Sequence, residues 1–104
     1  MSKLRKSARG QMCTVRIPFV CNHDSRTTVL AHVGSFGSAK RNHDDVAVYA
    51  CSDCHAAIDM RDNNYFLSND KERQKGLRDL RRVYVERALE RTRQAMVLQK
   101  LIEA

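Results

Sequence analysis

The sequence predicts a small α+β domain in which zinc staples two strands and a short helix, followed by a long C-terminal helix. Three observations carry this prediction. The chain has four cysteines, enough for one tetrahedral zinc site. Two short apolar runs, each typical of a strand, precede a helical pattern. The last third of the chain is charged and repeats apolar residues every three to five positions, as amphipathic helices do.

The chain divides into three zones, which we expect to form one domain over residues 1–104. Residues 1–11 are a basic lead, and residues 12–61 contain every cysteine and every histidine. Residues 62–104 begin with a polar turn and continue as a helical extension. A domain of this size has a modest core, and three tyrosines, three phenylalanines and no tryptophan limit it further. A structural metal would therefore supply part of the stability.

Two strands and a helix are predicted in the central zone. Residues 27–33 are rich in β-branched side chains, and residues 46–50 form a more apolar run that leads directly into the third cysteine. Residues 34–45 are rich in Gly, Ser, Lys, Asn and Asp and therefore predict a loop. From Cys54 the apolar pattern becomes helical, and the Asn pair at 63–64 ends it.

Residues 62–104 predict one or two amphipathic helices. Gly76 either breaks the first turn or costs about 1 kcal/mol inside a helix. The apolar residues belong either to the core or to a dimer seam, and the second case would make the protein a homodimer through its C-terminal helix. The arginines alternate with acidic residues, which indicates a salt-bridged face towards solvent. These arginines are Arg73, Arg78, Arg81, Arg82, Arg87, Arg91 and Arg93.

The charge balance points to a polyanionic partner. Nineteen Lys and Arg against 12 Asp and Glu give a formal net charge of +7. In a small domain this favours DNA, although a solvated basic surface is the other interpretation. The candidate phosphate contacts are Lys40, Arg41 and Arg61, together with Lys3, Arg5, Lys6 and Arg9 in the N-terminal lead.

No segment of the sequence has the features of a signal peptide or of a membrane span. We therefore expect a cytoplasmic protein without a membrane partner. In that compartment thiols stay reduced, so paired cysteines hold metal more often than they form disulfides.

Cys51 and Cys54 form a Cys-x2-Cys pair, whose sulfurs lie at the separation that zinc needs. Cys13 and Cys21 have seven residues between them, a spacing that fits a long loop or a short hairpin returning to the same ion. We predict a structural zinc site formed by all four cysteines. Buried unliganded thiols and two disulfides are the alternatives. A site closed by four thiolates leaves no open position for chemistry.

A second group of ligands begins at His55. Adjacent helix positions point about 100° apart, so His55 does not easily join Cys54 on the same ion. His55 and Asp59 share a helix face, where they form either a two-point site for a divalent ion or a solvated pair. His32 lies on the first strand. If the strands pair, the ends that meet the helix N-terminus would bring His32 opposite His55, where it would accept a proton from water; otherwise it is a strand histidine bonded to backbone.

These residues resemble a known family of nucleases. The order of a strand histidine, a loop, a second strand and Cys51-Ser52-Asp53-Cys54-His55 is similar to that of HNH (ββα-metal) endonucleases. Residues 13–18 (Cys-Thr-Val-Arg-Ile-Pro), 30–32 (Leu-Ala-His) and 50–55 also resemble the small prophage-encoded nucleases of the YbcO type. The resemblance covers most of residues 3–61 and implies a metal-dependent DNA endonuclease.

The resemblance also implies roles for individual residues. His32 takes the place of the general base, and His55 that of a metal ligand at the start of the helix. Asp59 corresponds to a second ligand one turn later, so the pair would hold Mg²⁺ or another divalent ion. The asparagine that orients the base in HNH enzymes falls near Asp44 or Asp45, and we take Asp45 as that residue.

One position departs from the HNH pattern. The family often has Asp or His immediately before the base, and this chain has Ala31. Either the ion binds weakly until DNA phosphate completes its shell, or the copy is inactive. The competing function is a non-catalytic zinc-binding adaptor for nucleic acid or protein. A redox switch at Cys51 and Cys54 is a third reading and requires labile thiols.

Overall fold

A computed structural model describes residues 3–33, 47–59 and 66–102. Its elements follow the predicted order of two strands, a short helix and a long helix. They are α1 (Lys3–Ser7), a 3₁₀ turn (Ser25–Thr27), β1 (Val29–His32), β2 (Ala47–Ala50), α2 (Ser52–Ile58) and α3 (Lys71–Leu98). The predicted loop 34–45, the contacts Lys40, Arg41 and Arg61 and the orienting residue Asp45 lie outside the described residues.

Strands β1 and β2 pair as an antiparallel two-stranded sheet. Every residue of β2 is buried, as its apolar sequence predicts. The register pairs Val29 with Ala50 and His32 with Ala47. Because Ala50 leads into α2, Val29 lies at the strand end next to the helix and His32 lies at the far end. The expectation that His32 lies at the end that meets the helix N-terminus is therefore wrong, since an antiparallel return brings the beginning of β1 to that end.

Helix α2 begins at a cysteine. Cys51 is its N-cap, and the Cys51 sulfur accepts a hydrogen bond from the backbone N–H of Cys54 at 3.4 Å. The face formed by Cys54, Ala57 and Ile58 is buried against the sheet and α3. The helix ends at Asp59, its C-cap. Two thiols therefore mark the start of α2, and a carboxylate marks its end.

Helix α3 is a single element of 28 residues, about 42 Å long. Asp70 caps its N-terminus by accepting a hydrogen bond from the backbone N–H of Glu72 at 3.0 Å. Gly76 lies inside this helix and does not break it. One line of residues packs into the core, and it consists of Val85, Ala88, Thr92 and Met96. Among the helices of the described part of the chain, none combines the length and the apolar character needed to cross a membrane.

A buried polar network joins α3 to the sheet and to the start of the loop between Cys13 and Cys21. The hydroxyl of Thr92 accepts a hydrogen bond from the backbone N–H of Tyr49 at 3.0 Å and lies 2.9 Å from the hydroxyl of Thr14. Thr14 also donates to the carbonyl of Tyr49, from its backbone N–H at 2.7 Å and from its hydroxyl at 2.9 Å. Buried polar groups must be satisfied, so this network fixes α3 to β2 in one register.

Two arginines of α3 correct the prediction of a purely solvent-exposed charged face. Arg91 donates from Nη1 to the carbonyl of Thr14 at 2.8 Å, and Arg81 donates from Nε to the carbonyl of Ile58 at 2.7 Å. Both side chains are half-buried. Charge alternation alone does not distinguish arginines that dock a helix from those that only solvate it.

Candidate functional site

The four cysteines converge on one point. Their sulfur atoms all lie within 4.8 Å of one another, and all four thiols are free. The sulfurs of Cys21 and Cys51 are 3.9 Å apart. A tetrahedral zinc ion with Zn–S bonds of about 2.3 Å separates its sulfurs by about 3.8 Å. The predicted convergence of the cysteines is confirmed, and the spacing fits a metal ion such as zinc.

Cys13 and Cys21 reach the cluster through a loop of turns, not through a hairpin. Within it, the carbonyl of Ile17 accepts hydrogen bonds from the backbone N–H groups of Val20 at 3.1 Å and Cys21 at 2.9 Å. Just beyond Cys21, the side-chain amide of Asn22 donates to the hydroxyl of Ser52 and to the carboxylate of Asp53, both at 3.1 Å. These contacts attach the loop to the first turn of α2.

Hydrogen bonds within the cluster control its protonation. The Cys54 thiol donates to the sulfur of Cys13, which lowers the pKa of Cys13 to about 4 and raises the pKa of Cys54 above its ordinary value. Burial raises the pKa of Cys21 to about 11. Because further thiolates would lie side by side as like charges, a cation is needed to hold the whole cluster deprotonated.

The other face of α2 carries an accessible imidazole and carboxylate. His55 Nε2 lies 3.2 Å from Asp59 Oδ2, and the two side chains are 26% and 33% exposed. The neighbouring Cys54 is completely buried. One short helix therefore presents a closed thiol group on its core side and an imidazole–carboxylate pair on its accessible side.

Arg81 is a neighbour of this pair that the sequence analysis did not assign to the site. Its hydrogen bond to the carbonyl of Ile58 brings the guanidinium to the end of α2, where it attracts the Asp59 carboxylate. Burial lowers the pKa of Arg81 against that attraction. The guanidinium would therefore compete with a metal ion for the Asp59 carboxylate.

His32 lies in a basic cleft of about 670 Å³ between the N-terminal segment and β1. Three arginines line the cleft with it, namely Arg5, Arg9 and Arg26. Arg26 also forms an exposed ion pair with Asp24, with 3.0 Å between Nε and Oδ1, and this pair lowers the pKa of Asp24. The sequence indicated Arg5 and Arg9 as candidate phosphate contacts. That Arg26 and His32 join them in one cleft depends on how the N-terminus packs against β1, which no local pattern reveals.

Across residues 3–33, 47–59 and 66–102, the cysteines are the one group of three or more His, Cys, Asp or Glu side chains close enough to share an ion. The His55–Asp59 pair is therefore not part of such a group within that part of the chain. Ala31, which stands where the HNH pattern often has a ligand, is buried.

Comparison with known proteins identifies the relatives of this chain. Residues 2–97 match the sequence model of a family described as "Putative nuclease YbcO". The chain belongs to the YbcO family. This confirms the YbcO resemblance seen in the sequence.

Two YbcO relatives are each 50% identical to this chain over 64 residues, which cover 59% of this chain and 67% of the relative. They are "Putative nuclease YbcO" of Escherichia coli (strain K12) and "Putative nuclease ybcO" of Enterobacteria phage 82. A solved structure described as "Structure of a putative bacteriophage protein from Escherichia coli str. K-12 substr. MG1655" is 34% identical, with a TM-score of 0.63. It covers 94% of this chain and 100% of its own. The YbcO chain is therefore phage-associated, and a solved protein shares its mixed α+β fold.

Proposed function

We propose that this YbcO-family chain is a metal-dependent DNA endonuclease of the HNH type. One observation carries the proposal: α2 holds His55 and Asp59 on an accessible face, with 3.2 Å between Nε2 and Oδ2, and supplies two buried cysteines to the thiol cluster from its other face. The ββα order of the elements and the nuclease named in the family's description support it.

The cysteine cluster serves structure in this proposal. Cys13, Cys21, Cys51 and Cys54 hold zinc, and four thiolates leave that ion no open coordination position. The ion replaces core that a chain with few aromatic residues lacks. Zinc here orients α2 and so fixes the direction of His55 and Asp59.

The pair on the accessible face suits a catalytic divalent ion. Two donor atoms bound at about 2.1 Å to one octahedral ion lie about 3.0 Å apart, close to the 3.2 Å observed here. Mg²⁺ is commonly bound by one or two carboxylates and keeps several waters, so a two-point site suffices when DNA phosphate supplies a further ligand. When bound, the ion would stabilise negative charge on the leaving 3′ oxygen.

His32 is the general base of the proposed reaction. The oxygen of a water molecule bonds to phosphorus, one proton of that water passes to the His32 imidazole, and the P–O3′ bond breaks, so that the leaving 3′ oxygen takes a proton from solvent. His32 is half-buried at the end of β1 and faces the basic cleft, so a phosphate in the cleft comes within its reach. Asp45 is proposed to orient the imidazole.

The basic cleft supplies affinity for the DNA backbone. Arg5 and Arg9 are exposed and line it together with His32. Phosphate contacts of this kind fix register without reading sequence, and their strength falls with salt. We propose that the DNA backbone is also contacted by Lys40, Arg41 and Arg61. A homodimer through α3 stays a proposal, with Leu80 and Val83, each 39% exposed, among the apolar side chains that α3 exposes.

One observation favours the adaptor as a second candidate. Ala31 is buried and offers no ligand beside His32. In an adaptor the thiol cluster folds the domain, the cleft binds nucleic acid and the His55–Asp59 pair is incidental. A redox switch at Cys51 and Cys54 is less well supported, because all four thiols converge as a metal site does.

Supercoiled plasmid separates these functions. Wild-type protein with Mg²⁺ or Mn²⁺ is expected to nick the plasmid, and EDTA is expected to stop it. Plasmid binding without cleavage in any divalent ion would contradict the nuclease and support the adaptor. Reversible loss of zinc on mild oxidation, with a change in DNA binding, would support the redox switch instead.

A further inference from the structure

Phe19 is the most exposed large apolar side chain among the described residues. Its relative exposure is 107%, against 84% for Leu98 and 59% for Met12. It lies at the tip of the loop between Cys13 and Cys21. A phenylalanine that contributes nothing to the core of a chain with few aromatic residues calls for a physical explanation.

The backbone conformation at Phe19 does not favour a phenylalanine either. Its φ is +65°, in the left-handed region, and the N–H of Val20 donates to the carbonyl of Ile17. Pro18 followed by a residue of positive φ has the pattern of a type II turn, in which glycine is strongly preferred at the third position. The turn would form with less strain if residue 19 were glycine. Neither burial nor turn geometry explains why residue 19 is aromatic. A role in binding a ligand is the explanation that remains.

The contacts of the loop fix the backbone of Phe19 relative to helix α2. Ile17 is completely buried at the base of the turn, and Cys21 belongs to the thiol cluster. Asn22 bonds both Ser52 and Asp53 at the start of α2. The helix that carries the His55–Asp59 pair therefore also fixes the position of Phe19.

We infer that Phe19 is a stacking platform for an unpaired base of the nucleic acid on which the proposed nuclease acts. The inference rests on the proposed function and adds the substrate class: DNA with unpaired bases close to the cleaved bond. Arg16, on the same loop, is exposed while its Nε is held by the carbonyl of Cys13 at 3.1 Å. It is placed to contact a neighbouring phosphate. Aromatic stacking combined with arginine is the usual way in which proteins hold single strands.

The size of the apolar surface favours a base over a protein partner. Next to Phe19, Pro18 is exposed but Val20 is half-buried, so the tip presents little more than one ring. A stable protein interface needs about 800 Å² on each partner, whereas one base needs one ring. Insertion into a paired duplex is also disfavoured, since unstacking a step costs at least as much as one stacking contact returns.

Binding of a short oligonucleotide tests the inference. The probe is a 12-nucleotide single-stranded DNA with one 2-aminopurine, and the comparison is the same sequence fully paired, each measured with zinc-loaded protein and Ca²⁺. The variants are Phe19→Gly, Phe19→Tyr and, as a matched control of an exposed apolar residue, Leu98→Ala. Phe19→Gly is expected to weaken single-strand binding by roughly 5- to 150-fold and to remove the 2-aminopurine quenching. Phe19→Tyr is expected to keep both, and Leu98→Ala to resemble wild type.

Thermal unfolding shows whether the ring acts in the fold instead. Phe19→Gly is expected to melt at the wild-type temperature or above, because glycine relieves the strained φ and no core contact is lost. A clearly lower melting temperature would overturn the inference, as would unchanged binding of the single strand or a preference for the duplex probe. Phe19-dependent binding by a protein that cleaves nothing would keep the inference and remove the nuclease. If Phe19→Gly changes neither the cleavage nor the binding of the single strand, the inference is wrong and the nuclease is kept.

Discussion

The two ligand groups on α2 differ most in their access to solvent. Cys51 and Cys54 are completely buried and converge with two cysteines from a distant loop, whereas the side chains of His55 and Asp59 are a quarter to a third exposed. A group that is buried and closed holds structure, because no substrate reaches it. A pair that is open leaves coordination positions for water and phosphate. We propose that Cys54 and His55, which are adjacent in sequence, serve these two different tasks because successive helix positions point in different directions.

We expect the largest effect from a substitution in the cysteine cluster. Cys51→Ser should lose zinc and unfold the chain, since a structural zinc site contributes about 10–16 kcal/mol of metal-binding free energy and a whole domain is stable by only about 5–15 kcal/mol. Zinc content and the near-ultraviolet circular dichroism measure this. Ser52→Ala, at the adjacent exposed position, is the control and should keep its zinc. A folded, zinc-free Cys51→Ser protein would show that the cluster does not hold the fold.

The next effect concerns the proposed base. His32→Ala should lower the rate of DNA cleavage by about 10²- to 10⁴-fold, the usual contribution of a general base, and leave zinc content and melting temperature nearly unchanged. His23→Asn is the matched control, because Asn tolerates the φ of +56° at that exposed position. Its zinc content is measured too, since His23 Nδ1 lies 3.7 Å from the sulfur of Cys21. Equal cleavage by His32→Ala and wild type would remove His32 from the mechanism.

A smaller effect is expected at the open pair. Asp59→Asn removes the charged ligand and should raise the Mg²⁺ concentration needed for half-maximal cleavage by about tenfold, roughly 1.4 kcal/mol. Zinc binding should not change, because Asp59 lies outside the cluster. Asp53→Asn, an acidic residue on the first turn of the same helix, controls for the loss of charge. The same Mg²⁺ dependence in Asp59→Asn and wild type would contradict the ligand assignment.

The smallest effect should come from the rim of the basic cleft. Arg9→Ala is expected to weaken DNA binding severalfold and to reduce the slope of log K against log salt by about 1. Arg93→Ala on α3 is the control, since Arg93 lies outside the cleft and pairs with Glu90 at 3.9 Å. If the slope of log K against log salt falls equally in both variants, the cleft is not a preferred binding site for DNA phosphates.

The sequence predicted the parts of this molecule that depend on local spacing. Cys-x2-Cys at a helix start and an imidazole four residues before a carboxylate are set by helix geometry, so both groups appear where the pattern placed them. The order of strands and helices followed from hydrophobic periodicity in the same way.

Features that depend on packing between distant segments could not be read from the sequence. His32 lies at the far end of the sheet because of the antiparallel register with β2. Arg81 and Arg91 look like their solvated neighbours in sequence, yet each bonds a backbone carbonyl of another segment. Phe19 looks like core material, and the turn after Pro18 carries it into solvent instead.

Metal stoichiometry tests most directly whether α2 contributes to two separate metal sites. Zinc is measured by elemental analysis, and Mn²⁺ by electron paramagnetic resonance, in wild type and in the double variant His55→Ala/Asp59→Ala. The account predicts one zinc in both proteins, one additional Mn²⁺ in the wild type, and loss of Mn²⁺ alone in the double variant. Loss of zinc together with Mn²⁺, or Mn²⁺ binding that survives both substitutions, would contradict the account.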